Sequence, residues 1–192
     1  MVVADDAAAE QADALVVEEV ARLQALLSAR DATSALGRWA RGEAEAPSEL
    51  EEVLGAAERW RQVTGGAFDA AAGALFARWS EAEAAGVVPT DAELAEATAS
   101  LTDPAARRRW CDPTAVAKGW IVDRAMAVAM AVDGVTSAVV NAGGDLRHAG
   151  AGSVVVGIED PARPHDNAPP LDRVALAGAA LATSGGAARP GR

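Results

Sequence analysis

Three short segments combine glycine with a polar residue at the edge of a regular element: Thr64–Asp69 (TGGAFD), Val116–Trp120 (VAKGW) and Asn141–Asp145 (NAGGD). Glycine lets backbone amides approach a ligand closely, and helix N-termini favour anions. The first segment lies between two helical patterns, so its amides can face an anion. The last follows a strand pattern, where ligand loops of α/β folds commonly sit. Lys118 is the one lysine in 192 residues. At a helix start a cation opposes the helix dipole unless an anion is shared between them. Lysine is also a point-charge phosphate binder. These residues together point to a phosphate-bearing ligand held by glycine-rich turns and one lysine. Each has a plainer reading beside it. Glycine pairs make turns, Asp69 caps the helix that follows, Asp145 caps a turn, and Lys118 is an exposed lysine fixed by chance.

Other chemistries find less support. His148 and His165 have no metal-ligand spacing, and no cysteine accompanies them in one, so a zinc site is not expected. A hard cation held by oxygen ligands stays open, because Asp, Thr and backbone carbonyls suffice for Mg2+. Ser184 has no nucleophile-elbow glycines around it, which disfavours a serine hydrolase. Cys111 is the only cysteine, so no intrachain disulfide forms. A buried small side chain describes it better than a nucleophile.

Composition narrows the partners. The net charge is -11, which argues against nucleic acid, since a phosphate-binding face needs clustered Lys and Arg. The run Arg107–Arg109 is too short to reverse this and reads as a solvated turn or a helix end. The apolar stretch Ala125–Val132 is too short to span a bilayer. No export signal is visible, so the cytoplasm is the default expectation.

The elements that must position these residues follow from periodicity. An amphipathic helix is predicted from Asp5 to about Ala29, followed by a looser polar segment from Ser28 to Glu45. A second helix starts at Ser48, where Ser48 and Glu51 have capping-box spacing, and ends before Gly65. A third covers Ala70 to about Glu83, and a fourth begins at Thr90, where Glu93 repeats the capping-box spacing. Gly119 to about Val132 reads as a further helix. Strands are predicted over Ser137–Asn141, Ser153–Glu159 and Arg173–Thr183, with a polar loop over Pro161–Pro170. The expectation is one mixed α/β domain over residues 1–192, with a helical first half and strands plus a helix in the second.

Taken in order, the motifs resemble those of the ApbE family, the FAD:protein FMN transferases. TGGAFD with Ala71–Leu75 resembles T-G-G-A-F-D-P-T-x-G-x-L, and LFARW (Leu75–Trp79) fits the L-x-x-L-W that follows. DPTAVAKGWIVD (Asp112–Asp123) resembles D-L-G-G-I-A-K-G-Y-A-V-D. VVNAGGDLRHAG resembles L-V-N-A-G-G-D-I-R-x-x-G, while VVVGIEDP and LATSG fit V-x-I-x-D-P and A-T-S-G.

The resemblance implies Mg2+-dependent transfer of FMN from FAD to a Thr or Ser hydroxyl of an acceptor protein, with release of AMP. The implied partners are FAD and an acceptor flavoprotein bearing a Ser/Thr flavinylation motif. It implies that Ala67, Phe68 and Asp69 line the FAD site, with Thr114 and Trp120 flanking it. Lys118 neutralises the diphosphate as the catalytic group, and the Ala117 carbonyl is the expected Mg2+ ligand. Asn141, Gly143, Gly144 and Asp145 shape the pocket floor, with Asp145 open between ligand contact and turn support.

The sequence also departs from the pattern. The family's M-G-T first strand is missing, and Arg30 stands at an aromatic position of the S-x-Y-x-x-x-S-x-L segment. The H-I-I-D-P-x-T-G and D-A-x-x-T-A segments after A-T-S-G are not present, and Ala187–Arg192 reads as a tail. A domain truncated at both ends is therefore expected. Two alternatives stand beside the transferase: an FAD-binding remnant without activity, and a helical interaction module whose glycine turns are only connectors.

Overall fold

A computed structural model describes residues 2–3, 5–163 and 168–184. His165, Gly185 of LATSG and the Ala187–Arg192 tail lie outside the described residues, as does part of the 161–170 loop. The chain adopts the mixed α/β class expected from its sequence. It divides into two compact units, one of residues 1–21 and 121–192, the other of residues 22–120. The boundaries fall within two long helices, α1 (Asp6–Leu27) and α7 (Thr114–Met130).

In the first unit, β1 (Val2–Val3), β2 (Val135–Ala142), β3 (Asp145–Gly150) and β6 (Ala180–Ala182) form one antiparallel sheet in the order β1-β2-β3-β6. The pair β4 (Val154–Ile158) and β5 (Asp172–Leu176) forms a second, two-stranded sheet. The core joins Ala8 and Ala12 of α1 to Met126 and Ala129 of α7, with Val132, Val135 and Ala138. Alanines one helical turn apart let a helix approach its neighbour closely.

Several sequence expectations are corrected here. A first strand exists: Val2 and Val3 pair with β2. The LRHAG segment, not read as a strand, is most of β3, with Leu146 and His148 buried on alternate positions. A histidine on the inner face hid that period. The run Arg173–Thr183 is not one strand. The chain leaves the extended region at Gly178 (φ +61°), and β5 and β6 belong to different sheets.

The second unit holds the remaining helices: α2 (Ala35–Ala40), α3 (Ser48–Val63), α4 (Gly73–Ala84), α5 (Asp91–Ala99) and α6 (Pro104–Arg109). Leu23, Leu36, Leu50 and Val53 are its most deeply buried large side chains. α2 interrupts the segment read as loose. Ser34 caps it, accepting from the Gly37 amide at 2.8 Å and donating to the Ser28 carbonyl at 2.7 Å. The capping box at Ser48 does not form. Pro47 is the N-cap, its carbonyl accepting the Glu51 amide at 3.0 Å, so Ser48 is already helical. The box at Thr90 does form, with the Thr90 amide donating to Glu93 at 2.8 Å. Among the described residues, no helix is long and apolar enough to cross a membrane.

Candidate functional site

The TGGAFD segment is first of all the end of α3. The Gly66 amide donates to the Arg61 carbonyl at 2.8 Å and the Gly65 amide to the Gln62 carbonyl at 3.1 Å. This is the Schellman pattern, and it requires left-handed backbone just past the helix. Gly65 and Gly66 supply it with φ of +60° and +86°. The Ala67 amide then bonds the Thr64 carbonyl at 3.2 Å, and the Phe68 amide bonds the Thr64 hydroxyl at 3.1 Å. The expectation that these amides cradle an anion is therefore overturned: four consecutive N–H groups are spent inside the loop.

Asp69 does not cap α4, as the sequence suggested, because α4 starts at Gly73 and its N-cap is Ala72. Asp69 instead folds the chain onto itself and onto α6. Its Oδ1 accepts from the Ala71 amide at 2.9 Å and from Arg107 Nη2 at 3.1 Å, and its Oδ2 accepts from Arg107 Nη1 at 2.7 Å. Burial opposes ionisation here, yet the bonds from Arg107 and Ala71 outweigh it and hold the carboxyl below its ordinary range. Arg107 also donates to the Leu101 carbonyl at 2.9 Å. Asp103 caps α6 through the Ala106 amide, which fixes the helix that carries Arg107.

A second pin joins this loop to the DPTAVAKGW segment. The Asp112 amide donates to the Ala70 carbonyl at 2.7 Å. The Asp112 carboxylate accepts from the Thr114 amide at 3.0 Å and also from its hydroxyl. The Pro113 carbonyl takes the amides of Val116 and Ala117 at 2.9 and 2.8 Å. Together these start α7 at Thr114 rather than at Gly119, as the sequence reading had it. Lys118 consequently lies in the second turn, so the unfavourable-dipole reasoning that singled it out loses its premise.

Between the two segments lies a cavity of about 240 Å³. It brings together four residues expected at the site: Ala67, Phe68, Asp69 and Thr114. Asp112, Phe76 and Ala115 also line it, and the sequence reading assigned none of them a role. The walls are mostly apolar, with polar atoms contributed by Asp69, Asp112 and Thr114. That suits a flat ring with a polar edge. Phe76 stands exposed on the first turns of α4 at this cavity, one residue after the Leu75 of the motif.

The other expected residues are placed elsewhere. Lys118 follows Thr114 by four positions on α7 and so shares its face, while Trp120, two further on, does not. Lys118 is exposed, Trp120 half-buried, and Ala117 buried at 4% exposure. None of these three lines the cavity. Asn141, Gly143, Gly144 and Asp145 lie in the first unit, where they build the β2–β3 hairpin. Ala142 pairs with Asp145, and Gly143–Gly144 is the two-residue loop with φ of +60° and +92°. Such a turn needs positive φ at both positions, which explains the glycine pair. The Asn141 side chain accepts from the Gly144 amide at 3.1 Å, and the Gly144 carbonyl accepts from the Thr183 amide and hydroxyl at 3.1 and 2.9 Å.

The run Arg107–Arg109 is a helix end, one of the two readings its sequence allows, but Arg107 and Arg108 are engaged by protein partners rather than left to solvent. Arg108 lies 5.0 Å from the Trp39 ring centroid and donates to the carbonyls of Trp39 at 2.6 Å and Ala44 at 3.2 Å. With Arg107, Trp39 and Cys111 it lines a second cavity, of about 410 Å³, behind the Asp69–Ala71 wall. The spacing of three arginines gave no hint of this, because their partners other than Leu101 are 38 to 69 residues away in sequence.

A family model described as the ApbE family matches residues 1–190. Among solved structures, an ApbE protein from Thermotoga maritima is similar with a TM-score of 0.75 and 26% identity, over 92% of this chain and 62% of that one. A flavin transferase ApbE from Vibrio cholerae gives 0.60 and 20% over 91% of this chain and 60% of that one. The flavinyl transferase ApbE of Pseudomonas stutzeri, in its apo form, gives 0.64 and 21% over 80% and 56%. The chain thus spans about three fifths of the length of these structures. Comparison with curated proteins gives no match.

Proposed function

The chain belongs to the ApbE family, and on that premise we propose that it binds FAD and serves in transfer of FMN to a Thr or Ser hydroxyl of an acceptor protein, with release of AMP. In that reaction a P–O bond forms between the acceptor oxygen and the FMN phosphorus. The bridging P–O bond of the diphosphate breaks, AMP leaves with the electron pair, and the hydroxyl proton is lost to solvent. Catalysis of such a step is mostly positioning and charge neutralisation.

The observation that carries the reading is the 240 Å³ cavity, where Ala67–Asp69 and Asp112, Thr114 and Ala115, from two separate family motifs, form one lining. In the proposal this cavity takes a ring of FAD, with Phe68 and Phe76 offering aromatic surface. Lys118, on the Thr114 face of α7, neutralises the diphosphate. Trp120 is a flanking contact on the same helix, and the resemblance assigns FAD contacts to Asn141, Gly143, Gly144 and Asp145 as well. The whole chain acts as one ApbE-type domain.

Mg2+ belongs to the reading through the Ala117 carbonyl. The described residues do not complete a site for it: no group of three or more His, Cys, Asp or Glu is placed to hold a metal, and Mg2+ demands near-octahedral oxygen ligation. A second reading, FAD binding without transfer, stands beside the first.

Titration with FAD, followed by flavin fluorescence, tests the binding. Saturable binding supports both readings, and a folded chain that ignores high-micromolar FAD favours the helical interaction module instead. Incubation with FAD, Mg2+ and an acceptor peptide then separates the two. An acceptor mass gain of one FMN supports transfer, and binding without that gain supports the second reading.

A further inference from the structure

We propose that Arg107 is a specificity-determining positioning residue, which neutralises and turns aside the Asp69 carboxylate so that the cavity beside it admits an anionic, ring-bearing phosphate ester. This rests on the FAD reading above and deepens it. The chain has a net charge of -11, so no general positive field draws in an anion. The cavity itself presents two carboxylates, Asp69 and Asp112. Asp112 turns Oδ1 to the Thr114 amide and hydroxyl. Asp69 is the more buried problem, with a side chain only 12% exposed. Left alone, its charge would repel a diphosphate across a cavity that opens to solvent at Phe76 and Asp112, where salt screens the repulsion.

Arg107 meets that need from behind. It lines the larger cavity and not the smaller, and its fork closes on both Asp69 oxygens at 2.7 and 3.1 Å. Fork-on-carboxylate pairing fixes orientation as well as charge, which a lysine point charge does less well. The Ala71 amide holds Oδ1 from a third direction, so the carboxylate has a single place to be. Asp69 therefore contributes backbone and shape to the cavity wall, while its charge is consumed at the back.

The test is FAD binding by the full chain and three variants, Arg107→Gln, Arg107→Lys and the double variant Arg107→Gln with Asp69→Asn. Each is measured at low and high salt, where the Debye length is about 30 Å and about 3 Å. Arg107→Gln is expected to weaken FAD binding about tenfold at low salt and distinctly less at high salt. The double variant removes the stranded charge and recovers most of the affinity, and Arg107→Lys falls between. Equal losses at both salts, no loss in Arg107→Gln, or no recovery in the double variant would overturn the proposal. If Arg107→Gln fails to fold, the folded double variant still decides: affinity near that of the parent chain supports the proposal, and a tenfold loss sinks it. A parent chain that binds no FAD ends the functional reading and this inference together. A parent that binds FAD without the variant pattern ends only the inference.

Discussion

A Cβ placed on Gly73 would overlap the carbonyl oxygen of Trp110. The first turn of α4 and the end of α6 meet backbone to backbone at that point, just beneath the Ala70–Asp112 hydrogen bond. Gly73 is at ordinary helical φ, so space and not conformation requires the glycine. Gly73→Ala must push the two segments apart, and overpacking of this kind costs about 1–3 kcal/mol. Urea unfolding should show that loss. FAD affinity should fall with it, because the same approach closes the 240 Å³ cavity.

Asp69 gives the fold a measurable acid sensitivity. Its folded pKa is depressed, against burial, by Arg107 and the Ala71 amide. A depressed carboxylate contributes stability above its unfolded pKa of about 3.9, and that contribution is lost as pH falls through the folded value. At neutral pH, Asp69→Asn should therefore be less stable than the parent by about 1–2 kcal/mol, the scale of a charge-assisted bond. The gap should narrow steadily below about pH 4, where the carboxylate of the unfolded parent takes up its proton while the folded one still resists. Urea midpoints from pH 7 to pH 3 check this, and a gap that stays constant with pH would show that charge is not its source.

Lys118 is exposed on the second turn of α7, one turn beyond Thr114. If it meets the FAD diphosphate, Lys118→Ala should weaken FAD binding about tenfold while leaving stability within about 0.5 kcal/mol, as exposed substitutions do. The salt dependence of FAD binding should flatten at the same time. Unchanged affinity in Lys118→Ala would remove the residue from the site.

How much of this was legible beforehand varied with the range of the interactions. The Thr90–Glu93 box and the amphipathic α1 are local, and their signals lie within one or two turns. The family motifs singled out Ala67–Asp69 and Thr114, and these residues line one cavity. The start of α7 was misplaced because Gly119 looked like a boundary, while Asp112 and Pro113 had already begun the helix. Amides expected to bind an anion had a nearer use in capping α3. Arg107 was passed over because its partner, Asp69, is 38 residues away and no spacing rule reaches that far. His148 was set aside as a metal ligand, and nothing in its neighbourhood disclosed that a strand would bury it.

Cys111 should be a slow thiol. Burial pushes its pKa up to about 11, and the neighbouring Asp112 adds to the shift. The thiolate is the nucleophile, so its fraction at pH 8 should be about a hundredfold below that of a thiol with an ordinary pKa of 9.0. Alkylation by iodoacetamide at pH 8 should be correspondingly slow in the native chain and ordinary in denaturant. Rapid native labelling would mean that the Asp69–Ala71 wall opens readily over it.

His148 is buried at 2% exposure and ties β3 to the turn before β6. The Gly178 amide donates to its Nδ1 at 3.0 Å, which leaves the proton on Nε2, facing the Ser137 hydroxyl at 3.1 Å. The His148 amide donates in turn to the Ala179 carbonyl at 2.9 Å. In the neutral ring, nitrogen NMR should accordingly report an unprotonated Nδ1 and a protonated Nε2. His148→Leu would leave the Gly178 amide and the Ser137 hydroxyl without this partner, at about 1–3 kcal/mol. Ser137→Ala should cost less, because Nε2 then loses one acceptor and the Gly178 bond survives. The reverse order of costs would mean that a buried Nε2–H stripped of its acceptor is worse for the fold than loss of the whole ring.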